Sequence, residues 1–146
     1  MDNDLERFLI AQQTYYRIAL QEIKSGQKRS HWMWFIFPQI AGLGYSETAR
    51  YYAIKDMGEA KAYMEDYTLS SNLIEISQAL LDVDSDDATA VMGWPDNLKL
   101  KSSMTLFALA KPKCEVFQKV LDKFFHGKRD QKTIEILQDK KPRTMW

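Results

Sequence analysis

A single cysteine, Cys114, has no partner for an intrachain disulfide, which fits a reducing compartment. Six glycines and four prolines in 146 residues exclude collagen-like and linker-dominated chains. Twenty basic side chains balance twenty acidic ones, so no global charge draws the chain to nucleic acid or to an anionic membrane. Apolar runs of membrane-spanning length are missing. The opening residues Met1-Asp2-Asn3-Asp4 are acidic where a secretory signal would be basic, and the expected location is cytoplasmic. Strand signals are also poor: alternation is short, β-branched runs are absent, and no Asn-Gly or Asp-Gly hairpin turn occurs. The two histidines lie far apart and the cysteine belongs to no motif, so no metal-ligand spacing exists. No cofactor motif is present, and no cofactor is expected.

What remains is helical periodicity almost throughout. Leu5, Phe8, Leu9, Tyr16, Leu20 and Ile23 form one stripe of a long first helix, with Asp2, Asn3 or Asp4 to cap it and Gly26 to end it. Asp56-Met57-Gly58-Glu59 has the form of a capping box ahead of Ala60, Tyr63 and Met64. Leu69, Leu73, Ile76 and Leu80 repeat at three and four, as do Phe117, Val120, Leu121 and Phe124. Ile134 and Leu137 mark a last helix capped by Asp130. Trp32 to Phe37 reads as a helical turn closed by Pro38 rather than as a strand. The expectation is an all-α fold: one compact domain over 1–139, about seven to nine helices in an orthogonal or irregular bundle, then a basic tail over 140–146.

Charge is uneven along this plan. Ile74 to Asp96 holds six acids and no base, whereas Asn97 to Trp146 holds twelve bases against five acids. Solvated helix faces account for the lysines more simply than a surface for a phosphate-bearing partner, because they form no continuous run.

Aromatics crowd one segment, His31-Trp32-Met33-Trp34-Phe35-Ile36-Phe37. Such a cluster is either the centre of the core or the wall of a pocket. His31 could act as an acid or base near neutral pH, or simply fill a hydrogen-bond slot. Gln12 interrupts the first apolar stripe, so its amide either fastens neighbouring backbone, the favoured role, or faces a cavity. Gly42-Leu43-Gly44-Tyr45-Ser46 leads into a helix with Ser46 as its cap; capping is the simpler role, anion binding with help from Arg50 the sharper one. In Leu98-Lys99-Leu100-Lys101-Ser102-Ser103-Met104-Thr105, hydroxyls inside a helix lower its propensity, which suggests either close helix packing or function. Lys99 and Ser102 share a face, but such pairs are common by chance.

Together Arg7-Phe8-Leu9-Ile10-Ala11-Gln12, the run from His31 to Ser46 and the run from Leu98 to Phe107 resemble a bacterial family of small all-α proteins of unknown function, sometimes labelled "calpastatin". The likeness extends from about Leu5 to Leu137 and implies the same helical fold. The label conflicts with the physics: calpain inhibitors of that kind are long, polar, repetitive and disordered, and this chain is aromatic and repeat-free. A likeness in plan to small helical N-glycosidases acting on ADP-ribose-linked compounds rests on fold-level analogy.

The expected function is therefore binding of a small ligand, of nucleotide or ADP-ribose type, in an aromatic-walled polar pocket. Gln12, His31, Trp32, Trp34, Gln39, Ser46, Arg50, Lys99 and Ser102 are the candidate residues, with Tyr45 as a further wall; no catalytic residue is singled out and no metal is expected. The alternative is a non-enzymatic protein-interaction module. A nucleic-acid partner is disfavoured, no membrane association is expected, and oligomeric state is not legible.

Overall fold

The structure, a computed structural model, describes residues 4–139. The expected basic tail and the capping candidates Asp2 and Asn3 lie outside the described residues. Nine α-helices form within them: α1 (Glu6–Lys24), α2 (Met33–Ile36), α3 (Glu47–Tyr52), α4 (Met57–Glu65), α5 (Tyr67–Asp82), α6 (Ala88–Met92), α7 (Asp96–Ala110), α8 (Val116–Phe125) and α9 (Gln131–Asp139). The fold is all-α, an irregular bundle in which α1 packs along α5 and α7 touches α4, α6, α8 and α9. A lone parallel bridge between Ile40 and Ile54 is the β-type pairing among the described residues.

Local chemistry explains most boundaries. Asp56, Asp66, Asp87 and Ser46 each accept an amide hydrogen bond from the first turn they cap, satisfying N–H groups that the helix cannot. Leu5 occupies the cap of α1 and offers no side-chain bond, a correction to the cap expected from Asp2, Asn3 or Asp4. Gly26 follows α1 at φ +92°, where a side chain would be strained. Lys123 reaches from α8 to the end of α5, donating to the Leu80 and Leu81 carbonyls at 2.9 and 3.0 Å and also to that of Val83. That lysine is thus a helix stop, with its charge at the favourable pole of α5.

Aromatic side chains link the layers. Phe8 on α1 meets Tyr63 on α4 edge-on at 5.2 Å, Tyr63 meets Phe107 on α7 at 5.1 Å, and Phe107 meets Phe117 on α8 at 6.0 Å. All four are fully buried, and each such burial contributes about 1.5–3 kcal/mol. Helix α7 is enclosed on nearly every side, which is why its apolar residues show no clean stripe.

Two polar ties run through this core. Arg7 and Glu59 form a buried ion pair at 3.1 Å. Arg7 also donates to the carbonyls of Tyr51 and Ala53 at 2.8 Å each and to that of Asp4, while Glu59 accepts from the Lys55 amide. Asp56 therefore caps α4 as the capping box implies, but Glu59 turns to Arg7 and Lys55 rather than back to Asp56. The second tie is Gln12, whose amide nitrogen donates to the Phe35 carbonyl at 2.8 Å and the Tyr63 hydroxyl at 3.0 Å. Its oxygen accepts from Asn72 at 3.0 Å, so one side chain joins α1, α2, α4 and α5. Burial pushes the Tyr63 phenol well above its ordinary value, which keeps it protonated.

Candidate functional site

The loop between α2 and α3 is shaped by small residues and backbone pairing. Ala41 donates to the Ile54 carbonyl and Ile54 to the Gln39 carbonyl, each at 2.8 Å, pinning the segment that carries Gln39. A Cβ on Gly44 would stand 2.6 Å from the Ala49 methyl, so only glycine allows this close approach to α3. Ser46 then accepts from the Ala49 amide at 3.1 Å.

Opposite this loop, α7 and α9 are bound together by hydroxyls. Thr105 donates to the Lys101 carbonyl and accepts from the Asp130 amide, both at 2.8 Å. Asp130 Oδ2 accepts from Ser102 at 3.1 Å, from the Thr133 amide at 3.0 Å and from the Thr133 hydroxyl at 2.5 Å. The serines and threonine inside α7 are thereby accounted for in part: Ser102 and Thr105 seat α9.

Between loop and helices lies a cleft of about 520 Å³. Trp34, Gln39, Tyr45, Ser46, Lys99 and Ser102, all expected at a site, line it together. Lys101, Asp130 and Lys132 also line it, and these three were not among the expected site residues. The sequence signal for the lysines is the basic excess after Asn97. Asp130 was legible only as a cap.

A smaller cleft of about 280 Å³ adjoins, sharing Trp34, Pro95 and Lys99 with the first. His31 lies there, beside Arg29 and Trp94. Asp96 lines the smaller cleft, 2.9 Å from Lys28 and 3.5 Å from Lys99. Lys99 also stands over the Trp34 ring, 5.4 Å from its centre.

Three expected residues fall elsewhere. Trp32 is fully buried and gives its indole N–H to Glu22 at 2.9 Å, so it belongs to the core and not to a pocket wall. Burial works against ionising Glu22. The Ser30 hydroxyl, the Arg29 amide, the Trp32 indole and the Ser30 amide outweigh it and hold the carboxyl down to about 2. Gln12 lines a separate cleft of about 350 Å³ with Tyr16 and Asn72, its own amide already bonded at both ends. Arg50 is exposed on α3 and lines neither cleft.

The main cleft is lined by two aromatic residues, three lysines, one aspartate and two serines. Side chains of these types can stack on a planar ring, attract negative charge and exchange hydrogen bonds. Among the described residues, no three His, Cys, Asp or Glu side chains gather as a metal set, and no helix is long and apolar enough to cross a membrane.

A family profile described as "Protein of unknown function (DUF1810)" matches residues 2–137. The chain is also similar to the crystal structure of the conserved hypothetical protein Rv1873 from Mycobacterium tuberculosis, at 41% identity over 92% of this chain and 96% of that one, with a TM-score of 0.90. No curated protein matches.

Proposed function

The chain belongs to the DUF1810 family of proteins of unknown function, and we propose that it binds a small phosphate-bearing ligand of nucleotide or ADP-ribose type in the cleft between Trp34 and α7. The observation that carries this reading is the convergence of Trp34 and Tyr45 with Lys99, Lys101 and Lys132 around one 520 Å³ space. A planar base needs an aromatic face, and a phosphate needs cations held by the protein in a partly dry site. The volume lies within the ordinary range for small-molecule sites. The adjoining cleft with His31 and Arg29 extends the surface available to a longer ligand such as ADP-ribose.

Calorimetric titration tests it with AMP as the minimal probe and ADP-ribose as the longer one. Saturable binding of AMP, tightened by the second half of ADP-ribose, is the expected result. No saturable heat with AMP at millimolar concentration contradicts the proposal.

A second reading has its own support. Tyr45, Trp94 and Leu98 are 78%, 74% and 51% exposed near the clefts, and exposed apolar groups of this size are features of protein-interaction surfaces. An interaction module predicts that Trp94→Ala removes partner binding and leaves AMP titrations unaltered. The ligand reading predicts no partner requirement.

A further inference from the structure

We infer that Asp130 is the specificity determinant of this cleft, accepting hydrogen bonds from the vicinal diol of a ribose. The inference rests on the nucleotide reading above and adds which part of the ligand the protein discriminates. The carboxylate is held in place on all sides but one. Its backbone N–H goes to Thr105, and a single oxygen, Oδ2, takes Ser102 and both donors of Thr133. Thr105 and Thr133 are fully buried, so this seat is rigid. The other oxygen, Oδ1, has no hydrogen-bond partner among the described residues, and Asp130 itself lines the cleft. Asp130 makes no ion pair among the described residues.

An ionised carboxylate oxygen accepts and cannot donate. Here it repels phosphate, so it can face only the donor-bearing part of such a ligand while Lys99, Lys101 and Lys132 take the charge. A ribose carries two adjacent hydroxyl donors between base and phosphate, and one oxygen with two lone pairs can take both. Acidic side chains read ribose hydroxyls by the same chemistry in dinucleotide folds unrelated to this one. A ligand lacking those hydroxyls leaves Oδ1 desolvated and unpaired, which is where discrimination comes from.

The test compares AMP with 2′,3′-dideoxy-AMP on the full chain by calorimetry, for the wild type and for Asp130→Asn. Asparagine is a good helix cap, and its oxygen must stay with Ser102 and Thr133, which turns its NH₂ donor toward the cleft where an acceptor stood. Wild type is expected to prefer AMP about tenfold, and the preference is expected to fall to within about twofold in Asp130→Asn. The wild-type comparison stands alone if the variant does not fold. Equal wild-type affinities, a preference that survives in Asp130→Asn, or discrimination against inosine monophosphate in place of the dideoxy analogue each overturn the inference and leave the nucleotide reading standing. AMP that fails to bind at millimolar concentration overturns both.

Discussion

The Lys99 ammonium lies 5.4 Å from the centre of the Trp34 ring and shares both clefts with it. Asp96 pairs with it at 3.5 Å. The pair joins the aromatic and cationic halves of the site in one place. Lys99→Ala is expected to weaken AMP binding about tenfold while moving the melting temperature by no more than a few degrees, because a partly exposed cation over a ring contributes only about 0.5–1 kcal/mol to the fold. Lys99→Arg should retain most of the affinity, and raising the salt concentration should erode wild-type binding more than that of Lys99→Ala. Equal affinities of wild type and Lys99→Ala by calorimetry contradict this role.

The Arg7–Glu59 pair makes a prediction about the fold rather than the site. Both side chains are almost wholly buried, so Arg7→Met leaves the Glu59 carboxylate uncompensated and strips the Tyr51 and Ala53 carbonyls of their donor. Urea denaturation should show a loss of about 3–5 kcal/mol. Glu59→Gln keeps an acceptor for Lys55 and Arg7 and should cost less. A loss below about 1 kcal/mol for Arg7→Met would mean that the pair is not formed in solution.

Acid stability should depend on Glu22. Its carboxyl, held down to about 2 in the folded protein against an ordinary value of 4.5, favours the folded state whenever it is ionised. A depressed folded-state value means that this contribution is complete above about 4.5 and is lost as pH falls toward about 2. Melting temperatures recorded from pH 6 to pH 2 should fall more steeply for wild type than for Glu22→Gln, the two curves converging at the acid end. Parallel curves would contradict it.

Ser103 presents the opposite case, a fully buried hydroxyl with no partner among the described residues. Ser103→Ala removes an unsatisfied polar atom and improves helix propensity, so α7 should gain stability, by about 1 kcal/mol. Its neighbour separates the effects: Ser102→Ala loses the bond to Asp130 and should lower the melting temperature.

The helices were legible because their signals are local. Asp56 and Asp130 cap within three residues, and the stripe from Leu69 to Leu80 repeats within one element. What stayed hidden is set by partners distant in sequence. Arg7 and Glu59 are 52 positions apart, and nothing in either neighbourhood announces the other. Trp32 and Trp34 have the same chemistry two residues apart, yet one is core and the other cleft wall. The difference is made by Glu22, one helix earlier, which satisfies the Trp32 indole and lets it be buried. That Lys99, Lys101 and Lys132 line one cleft is not legible locally, because it requires Ser102 and Thr105 to dock α9 against α7. Gln12, expected both as a fastener and as a site residue, is a fastener away from the main cleft, since a buried amide must find partners wherever they lie.

Amide and indole chemical-shift mapping during an AMP titration locates any bound nucleotide on the fold. Saturable shifts are expected at the Trp34 indole, along Gln39 to Ser46 and at the start of α7 and α9, with the Trp32 indole and the Cys114 region unmoved. Shifts centred on Gln12 or Cys114, or none that saturate, would contradict the proposed site.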